Sequence, residues 1–425
     1  MAIAEFLTAG EMILLRKGYP GFFEKLSQVS LRGDSFREIF DILGDRILCA
    51  DSDSWIEQRK TAHMCFKSME FRKWVNETSL KEVGDYLLPL LTQAARKGCT
   101  VDLQDVFLRF TFNTTMNAVF GRDLKYLTSE SPNTVAQGID EAQEALTYRV
   151  LMPTLIWKLQ RWLNVGAEKK LAKAREIAER FIEKCISVVR DDFLRGVEKY
   201  SLLTTYMKLS KTGDKFLRDT TLNVLVAGRE TTASTITWFI WLTSRNPRVE
   251  EKIIEELRLV VSEKKVAERD EGGVEEKKQP WVFHPNDLRG LVYLHAACCE
   301  TLRLYPSIPV TRRVVMKNDV LPDGSSVGSG MQILVSYYSL GRMPWLWGED
   351  CLEFKPERWI NEDGTPNQEK VSKLFAFSIS PRTCIGKDLA LTQMKLVTAT
   401  LLFNFHVQVA EGQSGSIRTA INLLG

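Results

Sequence analysis

Phe377-Ser-Ile-Ser-Pro-Arg-Thr-Cys384-Ile-Gly386 puts one cysteine in a turn that runs directly into an apolar stretch with helical spacing. A thiolate placed there faces the backbone N–H groups of the turn and of the helix start. These lower its basicity and let it persist as a ligand to haem iron. Arg382, two residues earlier, can reach a haem propionate. Taken alone, a cysteine is more often a small buried hydrophobe, so Cys384 acquires a ligand role only from what the rest of the chain carries.

Ala227-Gly-Arg-Glu-Thr-Thr232 lies inside a stretch free of proline from Asp214 to Asn246, which Pro247 ends. A helix over that span is about 50 Å long. Small residues at Ala227 and Gly228 allow a ligand close to the helix backbone. Thr231 can turn its hydroxyl toward the carbonyl four residues back, opening a groove for dioxygen, and Glu230 offers a carboxylate for relaying protons. An ordinary buried helix explains the same residues if nothing else is considered. A membrane span over Leu222–Leu242 is disfavoured by Arg229 and Glu230 near its centre, at about 2.5–3.5 kcal/mol each.

Glu300-Thr-Leu-Arg303 pairs two charges on one helix face, and Pro356-Glu-Arg358-Trp359 can supply a second guanidinium. Trp55-Ile-Glu-Gln-Arg59 puts an indole N–H and a guanidinium four residues apart, again on one face. Each of these patterns is common in charged helices. Their order along one chain is not.

Together the stretches resemble the signatures of the cytochromes P-450, over nearly all of the chain from about Lys17 onward. Phe377, Arg382, Cys384 and Gly386 match the haem-binding signature. Ser380 stands where that signature has its first glycine, and a non-glycine residue with positive φ there costs about 1–3 kcal/mol. The resemblance implies haem b with Cys384 as its only protein ligand, Glu230 as acid and Thr231 as alcohol in oxygen activation, and Ala227 and Gly228 beside the oxygen. It implies that Trp55, Arg59, Arg382 and Arg313 hold propionates, with Arg312 an adjacent competitor for the last role. Ile308 and Val310 are expected beside the haem, and Glu300, Arg303 and Arg358 beneath the cysteine loop. The implied fold is mainly α with a small β region, as one domain over residues 1–425 that lacks the family's N-terminal membrane anchor, early strands and last hairpin.

Val101–Phe112, Trp238–Leu242 and Gly386–Ala390 are similar to the plant fatty-acid ω-hydroxylases and mid-chain alkane hydroxylases. That resemblance implies a monooxygenase that takes electrons from NADPH through cytochrome P-450 reductase and puts one atom of O2 into a C–H bond of a long-chain alkane or fatty acid. The expected location is the cytosolic face of the endoplasmic reticulum membrane, through an anchor outside this chain. Oxidative phenol coupling in alkaloid biosynthesis is the alternative within the same branch, and a haem or apolar-ligand binder without turnover is the alternative outside enzymology. A peroxide-using rearrangement enzyme is disfavoured by the Glu230-Thr231 pair.

Composition excludes other classes. The 425 residues are 44% hydrophobic, enough for a large core, while a net charge of +3 is too small to indicate nucleic acid. The eight cysteines show no CxxC spacing and the four histidines no HExxH, so neither structural zinc nor a histidine metal site is expected. Periodicity predicts helices over Trp55–Val75, Leu80–Ala95, Val101–Phe120, Glu168–Val189, Leu291–Leu304 and Lys387–Leu402. It predicts short strands within Val310–Val335, another over Phe403–Val409, and an exposed loop over Glu263–Gln279.

Overall fold

Capping residues set the boundaries of the helices that surround the site. The Asp102 carboxylate accepts the Asp105 amide at 3.1 Å and starts the helix Leu103–Phe120, which Gly121 ends in the left-handed conformation at φ 69°. Ser68 interrupts the single helix expected over Trp55–Val75. Its extended backbone ends one helix, Ser52–Lys67, and its hydroxyl accepts the Phe71 amide at 3.1 Å to start the next, Met69–Glu82. The computed structural model describes residues 12–14, 30–121, 134–197, 200–209, 213–270, 280–322, 324–378 and 381–410.

The long helix runs over Asp214–Ser244, 31 residues, and packs most extensively against Leu103–Phe120. Its first half, with Leu217, Leu222, Leu225 and Val226, is buried in one hydrophobic cluster with residues 36–75 and the helices Thr134–Leu151 and Gly166–Leu194. Its second half, with Ala233, Ile236, Phe239 and Ile240, is buried in another with Val292–Leu304 and Lys387–Asn404. Residues 227–232 therefore lie at the seam between two cores.

The architecture is mainly α with a small β region. Four strands form one sheet in the order Met12–Leu14, Gln332–Ser336, Val310–Val315, Ser30–Leu31, and Asp319–Val320 pairs with Ser326–Val327 beside it. Val310–Val315 runs antiparallel to Gln332–Ser336 with Arg313 opposite Ile333. Two of these strands precede Asp34–Ile39, the first helix among the described residues, where the sequence reading placed none.

Two expectations are corrected. The helix Pro247–Asp270, anchored upstream by the buried Leu257 and Val261, continues through the first part of the stretch expected to be an exposed loop, where Val266 is exposed; residues 271–279 lie outside the described residues. Phe403–Val409 contains no strand: the helix from Lys387 reaches Asn404, whose amide donates to the Thr400 and Trp281 carbonyls, each at 2.7 Å, and residues 405–410 are irregular.

Candidate functional site

One cavity of about 290 Å³ opens at the seam between the two cores. Thr231, Ala227 and Gly228 line it from the long helix, and Thr383, Cys384 and Gly386 line it from the turn before Lys387–Asn404. The Cys384 amide donates to the Phe377 carbonyl at 2.7 Å, closing the turn. Cys384 has accessible surface, yet protein encloses the cavity wall around it so densely that burial pushes its thiol up, against the Gly386 amide and the charges of Arg59 and Lys387. Among the described residues the backbone strain in this turn falls on Ser378, at φ 60°; Ser380 lies outside them.

A cationic cluster borders the same cavity. Arg382 donates to the Ala50 carbonyl at 2.8 Å and to Asp51 at 2.6 Å, with its guanidinium 4.5 Å from the centre of the Trp55 ring. Burial and the nearby charge of Arg313 push Arg382 down to about 10, against Asp51. Arg59 donates to the Thr383 carbonyl. Arg32, which the sequence reading missed, is buried over Phe36, and its Nε and Nη1 have no hydrogen-bond partner. Burial, with Arg313 and Arg382 nearby, holds Arg32 well below its ordinary value. Asp51 is already engaged, accepting the Arg32 and Gly33 amides as well as Arg382. Buried cations with spare donors call for an anionic ligand, and the propionates of a haem are such anions. The thiol, the apolar walls and these donors together fit that group.

Thr231 donates its hydroxyl to the Ala227 carbonyl at 2.7 Å, as the four-residue spacing anticipates. Ser307, also on the cavity wall, donates to the Thr231 carbonyl at 2.7 Å and sits 2.6 Å from the Thr235 hydroxyl. Nothing in the sequence singled Ser307 out, because its partners lie on another element. Gly228 is small for a second reason: a Cβ there would lie 2.7 Å from the Thr115 hydroxyl, so glycine lets two helices approach closely.

Three expected residues lie elsewhere than anticipated. Glu230 does not line the cavity; its carboxylate is 3.3 Å from Arg229, which also pairs with Asp140. Arg313 is behind the wall, where burial lowers its pKa, and Val310 also lies off the cavity while Ile308 lines it.

On the helix Val292–Leu304, which contacts Phe375–Phe377 just before the cysteine turn, Glu300 is fully buried. Its oxygens accept two bonds from Arg303, each at 2.7 Å, and others from Arg358 at 2.8 Å, the Trp359 indole at 2.9 Å and the Lys355 amide at 2.9 Å. Burial alone would lower Arg358, but Glu300 and Asp350 hold it above its ordinary value.

The family model for cytochrome P-450 matches residues 29–420. Noroxomaritidine synthase from Narcissus aff. pseudonarcissus MK-2014 is 40% identical over 388 residues, 89% of this chain and 74% of that protein. Cytochrome P-450 86B1 from Arabidopsis thaliana is 37% identical over 402 residues, 92% and 71% respectively. Alkane hydroxylase MAH1 from Arabidopsis thaliana is 37% identical over 394 residues, 90% and 75%.

Proposed function

This chain belongs to the cytochrome P-450 family of monooxygenases, and from that premise we propose that it hydroxylates an apolar substrate, a long-chain alkane or fatty acid. Membership implies haem–thiolate iron, O2 and a redox partner. The finer reading is haem b on Cys384, with NADPH–cytochrome P-450 reductase as the electron source, at the cytosolic face of the endoplasmic reticulum. Among the described residues no helix is long and apolar enough to cross a membrane.

When bound, the haem supplies the activation of dioxygen that C–H oxidation needs. Everything else falls to this chain's own residues. Cys384 would hold the iron through its sulfur, with the Gly386 amide and Arg59 favouring the thiolate against the burial that raises its pKa. Arg32, Arg59, Arg382 and Trp55 would hold the propionates, and Arg313 would add positive charge from behind. Ala227 and Gly228 leave room on the same cavity wall as Thr231. Thr231 holds a proton at Oγ1 on the cavity wall. Glu230 stands one residue away, next to Arg229 and Asp140, and brings protons from that side. Overall, substrate C–H, O2, NADPH and a proton give alcohol, water and NADP+.

The observation that carries this reading is that Cys384 and Thr231 line one cavity that the buried arginines border. The test supplies haem-loaded protein with reductase, NADPH and ¹⁸O₂, and offers hexadecane and palmitate. One labelled hydroxyl per product molecule is expected. NADPH-independent binding without product supports the non-enzymatic alternative. The identity to noroxomaritidine synthase favours phenol coupling as the second reading; a phenolic amine converted to a coupled product without label would establish it.

A further inference from the structure

Among the described residues Arg46, like Arg32, lines the cavity without an ion pair. Asn223, buried on the long helix, donates to the Leu43 carbonyl at 2.7 Å and accepts the Leu48 amide at 3.2 Å, clamping both ends of the turn between them. Inside that turn the Arg46 carbonyl accepts the Cys49 and Ala50 amides at 2.8 and 2.7 Å. From this fixed backbone the Arg46 side chain extends along the cavity wall, with its guanidinium 4.5 Å from the centre of the Phe216 ring. Its Nε is buried without a hydrogen-bond partner. No carboxylate among the described residues forms an ion pair with Arg46. Asp219, one turn along the same helix from Phe216, is bridged to Arg218 at 3.3 Å.

The cavity is elongated along the long helix. Phe216, Thr220, Ala227, Thr231 and Thr235 all line it, one continuous stripe at helical spacing. From Phe216 to Thr231 is 15 residues, about 22 Å at 1.5 Å per residue. A cation therefore stands toward one end of an apolar channel, and the hydroxyl of Thr231 lies well along it.

We infer that Arg46 anchors the anionic end of the substrate, which is a long-chain carboxylate lying along the helix with its far end beside Thr231. A guanidinium facing an apolar cavity is costly unless an anion pairs with it, and a carboxylate matches its forked donors. An alkane leaves the charge uncompensated, and a protonated phenolic amine meets repulsion. The span corresponds to an extended saturated chain of about sixteen to eighteen carbons, given bond lengths near 1.5 Å and the helix rise. The inference rests on the monooxygenase reading only for what happens at the far end.

Isothermal titration of the haem-loaded chain tests it with palmitate, methyl palmitate, hexadecane and hexadecylamine, with haem content recorded for each variant. Palmitate is expected to bind at least about tenfold tighter than its methyl ester, and hexadecylamine weakest. Arg46→Gln should bring acid and ester within about threefold while hexadecane affinity and haem content stay unchanged, and Arg46→Lys should keep part of the preference. Equal binding of acid and ester to the unaltered chain overturns the inference without any variant. So does an Arg46→Gln protein that loses haem yet keeps the acid preference, since the guanidinium would then serve a propionate. Palmitate that binds with the expected preference but is not oxidised with reductase and NADPH removes the monooxygenase reading and leaves the anchor standing.

Discussion

Replacing Glu300 by alanine is expected to cost the protein about 3–5 kcal/mol, the range for stranding a buried ionic partner. The geometry shows why the loss is large. Arg303 and Arg358 would keep neutral acceptors, the Cys351 and Glu353 carbonyls for one and the Trp347 and Asp350 carbonyls for the other. Arg303, about 2% exposed, would have no counter-charge. The Trp359 indole and the Lys355 amide would lose their acceptor as well, each at about 1–3 kcal/mol if left unsatisfied. Against a total stability of about 5–15 kcal/mol, that is a large fraction. At about 2.1 cal/mol/K per residue, the unfolding entropy converts it to a fall of roughly 3–6 °C in melting temperature. The assay is thermal unfolding of the purified protein together with haem content, expected to drop because the helix that carries Glu300 contacts Phe375–Phe377, which leads into the cysteine turn. Glu357→Gln is the control. That carboxylate pairs with Lys252 and Arg248 at the partly exposed surface, so its loss should stay within about 1 kcal/mol. Full haem occupancy in Glu300→Ala, with a melting temperature as close to the unaltered protein as that of Glu357→Gln, would refute the reasoning.

Other outcomes follow from the cavity. Arg32→Met should raise the stability of haem-free protein by about 1–4 kcal/mol, because it removes an unpartnered buried cation, yet weaken haem retention; apo melting and haem transfer to apomyoglobin read the two effects, and a fall in both would contradict the propionate role. Thr231→Ala should keep haem and substrate affinity but lower the ratio of hydroxylated product to NADPH consumed by at least about tenfold, with hydrogen peroxide making up the difference, a smaller factor than the roughly 10²–10⁴ in rate that proton donation contributes. Ser307→Ala should lower the same ratio by less, because it frees the Thr231 carbonyl without removing the Thr231 hydroxyl; a ratio equal to that of the unaltered protein would show that the contact is packing alone.

What the sequence disclosed was local. The helices around Thr231 and Glu300 follow from apolar spacing and capping, and Cys384, Arg382, Trp55 and Arg59 stand in short stretches whose spacing is itself the signal. Residues that act across the fold left no such trace. Arg32 and Arg46 are single charges in unremarkable segments, and only the folded chain shows that their guanidinium groups are buried or partly buried without an anion. Ser307 reaches Thr231 across 76 positions of sequence. Glu230 was placed correctly on its helix, but a carboxylate beside an arginine turns toward that charge, and the pairing of Arg229 with Asp140 on another helix cannot be read from neighbours in sequence. The break at Ser68 shows the reverse limit: apolar periodicity continues across it, while one hydroxyl and an extended backbone divide the helix.

The central claim is that Cys384 carries the iron, and the carbon monoxide difference spectrum of the reduced protein tests it most directly. The unaltered chain reconstituted with haem should give the Soret band of a thiolate-bound ferrous carbonyl. Cys384→Ala should lose that band, while Cys298→Ala and Cys299→Ala keep it, because both of those thiols are buried in the core and neither lines the cavity. A thiolate-type band that survives in Cys384→Ala would contradict the account at its root.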